Sequence, residues 1–490
     1  MVTTRRTAAG AKKSASTRAV NNKTKTPAAS HKDDEDVNGK PDGYSGANDV
    51  QTRATEAAFQ PPIVAMSAAL LVPLGALMFH VGKRNHEVGI QLAACTLVSV
   101  CGFLVTTYMV PLVGEKIKAK LYGVDIGKRG LGGPRDGERV PESLGIVSAM
   151  AFMISVGILQ ALFASSNGQM LEYNTALLSI CFATLLGLVD DIIDIKWKHK
   201  LIIGIVMSLP MLLSYKGATT VLVPRPLIGA LVKSGTDEND VALTALGKAV
   251  DALPSVHVQG EGALLDLGIL YYGYMLALVV FCTNAVNIYA GINGIEVGQS
   301  IIMALSIAVV NLLDLEWRGA SVEDVLSGDG SHHLFSLMLM LPFVATSAGL
   351  LVHNWYPARC FVGDVYPYYA GMTIATAAIL GHFSKSLLFL ILPQVVNFIY
   401  SVPQLFHMVP IPRHRLPRID LRTGYLHPSK VAPGDDRDNM TLLCFALRIF
   451  GPMHERTLCV VLILLQVICA AIGIFLRHYV AGHIFRIPLS

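Results

Sequence analysis

Charge is scarce in this sequence. Asp, Glu, Lys and Arg make up 15% of its 490 residues while 52% are hydrophobic, which excludes an ordinary water-soluble globule and leaves nucleic acid an unexpected partner. Paired cysteine spacing is absent too. The eight cysteines, at 95, 101, 181, 282, 360, 444, 459 and 469, show no CxxC and lie mostly inside or beside apolar runs. They read as small apolar fillers, not as a disulfide or zinc framework. Residues 1–58 have almost no large apolar side chains; they are rich in Ala, Thr, Ser, Lys and Asn and carry a short "DDED" run. That composition predicts a disordered extension, too long and too polar to be the leading region of a signal peptide. No obvious internal repeat is present, unlike the repeated halves common in transporters.

What the chain has instead is a series of apolar runs of about 20 residues, the length that crosses a bilayer. They fall near 61–80, 88–113, 144–164, 173–189, 201–215, 266–285, 297–314, 333–352, 365–381, 386–405 and 457–477. Lipid forces backbone polar groups to pair within a segment, so these runs predict helices. The expected fold is an all-α polytopic membrane protein with a ten-helix core over 88–480, an extra helix over 61–80 retained as a span, and a small strand-containing loop around "TTVLVPRP".

If 88–113 opens the core, the loops 114–143, 190–200, 286–296, 353–364 and 406–456 share one side. They hold 19 Lys or Arg residues, against 8 elsewhere beyond residue 113. The positive-inside rule makes that side cytosolic. The ten Lys and Arg residues before residue 60 agree, provided the 61–80 helix crosses. Both sequons, Asn22 and Asn439, then face the cytosol and stay unmodified.

The same five loops hold the unusual polar residues. In "LGLVDDIIDIKWKHK", Asp190, Asp191 and Asp194 fall within roughly a 100° arc of one helix face, and such a face calls for a metal ion or a lysine. Acids at membrane depth are costly and usually functional. "NAVNIYAGINGIE" gathers three asparagines and two glycines, offering hard oxygen ligands and close backbone approach, although a Gly/Asn turn would look the same. In "FVGD", Asp364 offers a carboxylate to Mg2+. In "PRHR", Arg413, His414 and Arg415 suit phosphate oxygens, or lipid headgroups at the surface. Acids and Asn for Mg2+, with Arg and Lys for phosphates, are the components of phosphoryl transfer.

Together, "GLVDDIIDIKWKHK", "FCTNAVNIYAGINGIEVGQS", "HNWYPARCFVGD", "GHFSKS", "PRHRLPR" and "GPMHER" resemble the eukaryotic UDP-GlcNAc:dolichyl-phosphate GlcNAc-1-phosphotransferases, a branch of the polyprenyl-phosphate sugar-1-phosphate transferases. The resemblance implies an endoplasmic reticulum membrane enzyme with a cytosol-facing site, UDP-GlcNAc and dolichyl phosphate as substrates, Mg2+ as cofactor and a homodimer as a candidate assembly. It implies that Asn287 and Asp364 hold the metal, and that Lys200 and the 280–288 segment, with Phe281 and Asn284, meet the dolichyl phosphate. Glu142 and Asn293, with the backbone of Val124, Asp125 and Ile126, would hold the uridine end. Arg413, His414 and Arg415 would grip the diphosphate and GlcNAc, Arg415 reading the N-acetyl group. Asp190 and Asp191 match the family's acidic pair, and with Lys200 and Arg413 they form the expected catalytic set. Val124, where the family commonly has a polar residue, Asp194, where its eukaryotic members usually have Asn, and the extension through residue 80 depart from the pattern. A bacterial-type undecaprenyl-phosphate enzyme and a transporter with an acidic ion site are the rival readings.

Overall fold

The computed structural model describes residues 63–480 except 126–137, 165, 224, 235–240, 253–255, 260–263, 318–329 and 413–414. The 1–58 extension, Asn22, Ile126, Arg413 and His414 therefore lie outside the described residues.

Every apolar run named above lies on a helix. In chain order these are α1 (Ile63–Arg84), α2 (His86–Ile117), α3 (Gly145–Phe163), α4 (Asn167–Ile193), α5 (Trp197–Ser214), then, past the long loop, α8 (Ile269–Ile288), α9 (Ile295–Trp317), α10 (Gly330–Asn354), α11 (Val365–Leu380), the pair α12 (Ser384–Leu390) and α13 (Leu392–Leu405), and α15 (Glu455–Phe475). Among the described residues seven helices are long and apolar enough to cross a membrane, or eight if α12 and α13, bent by 76°, count as one span. Ten crossings thus do not follow from length and composition alone. Helix α11 shows why: its 16 residues are all buried. At 1.5 Å per residue it is about 24 Å long, shorter than the bilayer core. It is walled by protein and needs no lipid-facing surface. Its run of Ala370, Gly371, Ala375, Ala377 and Ala378 lets neighbouring backbones close in.

The long loop is built as expected, a small mixed cap. Strand β3 (Thr220–Leu222) pairs with β7 (Leu264–Asp266), which also pairs with β6 (His257–Gln259). The "TTVLV" part is the strand, and Arg225 then opens the short helix α6 (Arg225–Leu231). A hairpin, β4 (Val232–Ser234) with β5 (Val241–Leu243), and helix α7 (Ala245–Asp251) complete it. At the other end of the bundle, β1 (Tyr122–Val124) pairs with β2 (Arg139–Pro141), and β8 (Arg418–Ile419) with β9 (Leu426–His427), followed by helix α14 (Leu442–Phe450).

All eight cysteines are free and five are buried, as filler residues should be. Asn439 is 1% exposed, with its amide nitrogen donating to Ser429 Oγ at 2.8 Å. A glycan has no room there whichever side the loop faces.

Candidate active site

Helix ends converge because alternate helices deliver opposite termini to one face. The C-terminal turns of α4 and α8 bring Asp190, Asp191, Asn284 and Asn287; the N-terminal ends of α3, α5, α9 and α11 bring Glu142, Lys200, Asn293 and Asp364. Direct bonds tie the five predicted loops together. Ser143 Oγ donates to Asp191 Oδ2 at 2.5 Å, Asn287 Nδ2 to Asp364 Oδ1 at 2.9 Å, Asn293 Nδ2 to Asp125 Oδ2 at 3.0 Å, and the Asn293 backbone N–H to Glu455 Oε1 at 2.7 Å. The parity argument thus places these loops on one face correctly.

Lys200 is the cation among the acids. Its Nζ lies 2.5 Å from Asp190 Oδ2 and 3.7 Å from Asp364 Oδ2, and the side chain is only 9% exposed. Asp191 has a different task. It accepts the Ser143 hydroxyl and, through Oδ1, the Asp364 backbone N–H at 2.8 Å. Both of its oxygens are thereby occupied in fixing the entry to α11, where the helix dipole favours negative charge. Gly363 makes this possible: at φ +68° it turns the chain so closely over Asp191 that a Cβ would collide with the carboxylate. Gly187 likewise lets α4 pass against the backbone of Asp364 and Val365.

Asp194 is not the third member of the acidic face. The helix stops at Ile193, and Asp194 caps it in the left-handed region at φ 52°, exposed. The Ile195 N–H then folds back onto Asp190 Oδ1 at 2.9 Å. The 100° arc assumed a helix that continues one residue further than it does.

Charge is raised in cost by burial around the site. Burial, then Asp190 and Asp191, hold the Asp364 carboxyl well above the usual carboxylate range, against the pull of Lys200. Burial and the nearby Asp191 push Glu142 up to about 8. Glu142 follows β2 directly, its N–H bonding Leu121 O at 3.3 Å, at the opposite end of the strand pair from Val124, which pairs with Arg139; its carboxylate reaches toward Gly123. Burial lowers Arg415 to about 10. Its guanidinium NH2 donates to Ser401 Oγ and to Met440 O, each at 2.6 Å. Part of Arg415 is therefore committed to holding its own loop. Phe281, half-buried, meets Phe398 edge-on with centroids 5.6 Å apart, and Asn284 donates back to Val280 O at 2.8 Å.

Among the described residues no set of three or more His, Cys, Asp or Glu side chains is arranged to hold an ion alone. The donors nevertheless fit Mg2+: Asn287 Oδ1 is buried without a hydrogen-bond partner, next to the Asp364 carboxylate that its own amide contacts. Two hard oxygens suit an ion that takes its remaining ligands from phosphates and water. Sequence reasoning overlooked Ser143 and Glu455 as site residues, although "VPESLG" and "GPMHER" contain them. An acid or hydroxyl seen in one dimension does not reveal which backbone N–H it will cap.

Residues 173–382 match glycosyl transferase family 4. The chain is 41% identical over 390 residues to the UDP-N-acetylglucosamine–dolichyl-phosphate N-acetylglucosaminephosphotransferase of Dictyostelium discoideum, covering 78% of this chain and 87% of that one. It is 34% identical over 450 residues to the enzyme of the same name from Schizosaccharomyces pombe, covering 79% and 92%, and 31% identical over 457 residues to that of Saccharomyces cerevisiae, covering 80% and 93%. On likeness of that extent, this chain belongs to the UDP-N-acetylglucosamine–dolichyl-phosphate N-acetylglucosaminephosphotransferase family.

Proposed function

We propose that this protein transfers GlcNAc-1-phosphate from UDP-GlcNAc to dolichyl phosphate, giving GlcNAc-diphosphate-dolichol and UMP, the first step in assembling the lipid-linked oligosaccharide for protein N-glycosylation. The observation that carries the reading is the pair Asp190 and Asp364 on one lysine, with Asp191 bracing Asp364, beside a buried and unpartnered Asn287 oxygen, in a chain of this family.

In the reaction an anionic oxygen of dolichyl phosphate attacks the sugar-linked phosphorus. The bond from that phosphorus to the bridging oxygen breaks, and UMP leaves with the electron pair. A phosphate monoester at neutral pH already presents an anionic oxygen, so no strong base is required. Asp191 could not readily supply one, since both of its oxygens are taken up by Ser143 and the Asp364 N–H. Asp190 aims Lys200, and Lys200 meets the acceptor phosphate. Asn287 and Asp364 are the residues that would hold Mg2+, which when bound neutralises charge on the donor diphosphate. Glu142, Asn293 and the Val124 to Ile126 backbone line the uridine end; Arg413, His414 and Arg415 take the diphosphate and sugar, Arg413 stabilising charge in the transition state.

The reading includes a ten-helix core in the endoplasmic reticulum membrane with this face toward the cytosol. It also takes α1 as a retained crossing. In support, Arg84 at the end of α1 pairs at 2.6 Å with Glu316, at the end of α9 remote from the site, so α1 runs alongside the core and its start lies toward the site face.

The test is purified protein with UDP-GlcNAc, dolichyl phosphate and Mg2+, following UMP and the lipid-linked product. Release of both, with dolichyl phosphate outperforming undecaprenyl phosphate, is the expected result. Movement of substrate across vesicles without UMP would establish a transporter instead.

A further inference from the structure

Four polar residues on α13, Gln394, Asn397, Ser401 and Gln404, are all buried to within 1% exposure, and their spacings of three, four and three put them on one helix face. None touches the carboxylates, yet the stripe holds both halves of the site. At its upper end Gln394 Nε2 donates to Gln299 Oε1 at 2.8 Å, and Gln299 Nε2 in turn donates to Val286 O at 3.3 Å and Tyr289 O at 3.2 Å. Those carbonyls belong to the last turn of α8, which flanks Asn287. At its lower end Ser401 accepts from Arg415, while Gln404 accepts the Met440 N–H at 2.9 Å and donates to Asn439 Oδ1 at 2.9 Å. Asn397 Oδ1 accepts the Leu442 N–H at 2.8 Å.

The stripe is braced from behind. Gln394 also donates to Gln466 Oε1 at 2.8 Å, and Gln466 Nε2 donates at 2.8 Å to Leu390 O, at the break between α12 and α13. Without that bond the break would leave a carbonyl unsatisfied inside the bundle. Buried side-chain amides are costly unless satisfied, and only Gln394 Oε1 and Asn397 Nδ2 of the stripe's amide atoms lack a partner, so the bonds that are made favour one arrangement of the helices they join.

We propose that Gln299 and the α13 stripe are positioning residues that set the distance between the turn carrying Asn287 and the loop carrying Arg415, and so hold the metal side and the sugar side of the site in register. The inference rests on the transferase reading for its kinetic consequence but not for its structural one.

The experiment compares Gln299→Leu and Gln394→Leu with Asn311→Leu. Asn311 is an equally buried amide on the same helix as Gln299, bonded at the far end to Ser336 and His333. Hydrogen exchange in the substrate-free proteins is the first readout. Gln394→Leu should raise exchange both in residues 284–290 and in residues 436–445, though these segments share no direct bond to each other through the substituted side chain, and Asn311→Leu should leave both protected. The second readout is UMP release against Mg2+ at a temperature where all the variants remain folded. Gln299→Leu should lower kcat about 10- to 100-fold and raise the Mg2+ needed for half-maximal rate, the penalty expected when a supporting shell lets a site drift, with Asn311→Leu unchanged in both. Exchange confined to one segment, or parallel losses in all three variants, would overturn the proposal. Wild-type protein releasing no UMP would sink the transferase reading, while the exchange data would still decide the coupling.

Discussion

Asp314 and Asp364 sit at opposite ends of the bundle with similar side-chain exposure, 13% and 16%, and their surroundings differ in charge balance. Asp314 Oδ2 faces Arg477 NH2 at 2.5 Å and His333 Nε2 at 3.6 Å, and its Oδ1 faces His478 Nε2 at 3.2 Å; His333 is itself held by Asn311 at 3.0 Å. One acid there has a full cation and two imidazoles. At the site face, Asp190 and Asp364 share Lys200, while Asp191 beside them meets a hydroxyl and a backbone N–H. A cluster that is already neutral can only pin the C-terminal end of α15 to α9 and α10. A cluster with surplus negative charge and an unpartnered amide oxygen requires a cation from outside, which is what a metal-phosphate substrate brings.

Exchanging the expected outcomes of the two aspartates would break this comparison. Asp364→Ala should lower UMP release by at least about a hundredfold, the scale of losing a main electrostatic contact in a transition state, while the protein still elutes and melts as a folded species. Relief of carboxylate crowding should even offset part of the lost packing. Asp314→Asn should do the reverse, leaving turnover intact at moderate temperature but costing about 2 kcal/mol of stability, because Arg477, half-buried and still bonded to Ser386, loses its charged acceptor. Thermal unfolding and UMP assays on both variants check this together; wild-type turnover in Asp364→Ala would remove Asp364 from the site.

The site half of this contrast was legible in the chain, and the Asp314 half was not. Acids next to apolar runs are expensive, and helix parity sends Asp190, Asn287 and Asp364 to one face without any knowledge of packing. Helical periodicity could not see that Asp194 lies beyond the helix, because a left-handed cap is a property of backbone conformation that Asp tolerates without advertising it. The buried length of α11 was equally hidden, since an apolar run reads alike whether lipid or protein surrounds it. The α13 stripe did carry a signal, polar residues at helical spacing within "PQVVNFIYSVPQ", but its partners lie on α8, α9, α14 and α15 and emerge only in three dimensions. Asn439 changed meaning outright. As a sequon it looked like a reporter of sidedness, and as a buried amide it can report only the fold.

A smaller effect sharpens the role given to Asp191. If it acts by bracing Asp364, removing its hydroxyl partner should loosen the metal side. Ser143→Ala should raise the Mg2+ requirement about tenfold, as loss of an outer-shell bond typically does, with the KM for UDP-GlcNAc less affected. Ser143 also sits at φ 63°, so Ser143→Gly relieves backbone strain while deleting the same bond. The two variants should share the Mg2+ phenotype and differ in stability, Gly being the more stable. An unchanged Mg2+ titration in both would return Asp191 to candidacy as a base.

The smallest expected effect concerns pH. Glu142 is pushed up to about 8 by burial and by Asp191, from 4.5 for the unperturbed group. Between those values the folded protein keeps a proton that the unfolded chain has released. The stability this carboxyl contributes is therefore full below its unfolded pKa and declines as pH rises toward its folded one. Glu142→Gln removes the titration while keeping shape and hydrogen-bonding capacity. Thermal midpoints of the substrate-free proteins, measured from about pH 5 to about pH 9, should converge least at the alkaline end, with wild type losing ground to the variant up to about pH 8 and the gap then constant. Parallel pH profiles for wild type and Glu142→Gln would mean that Glu142 is already ionised in the free enzyme, and that its wall of the pocket is better hydrated than its burial implies.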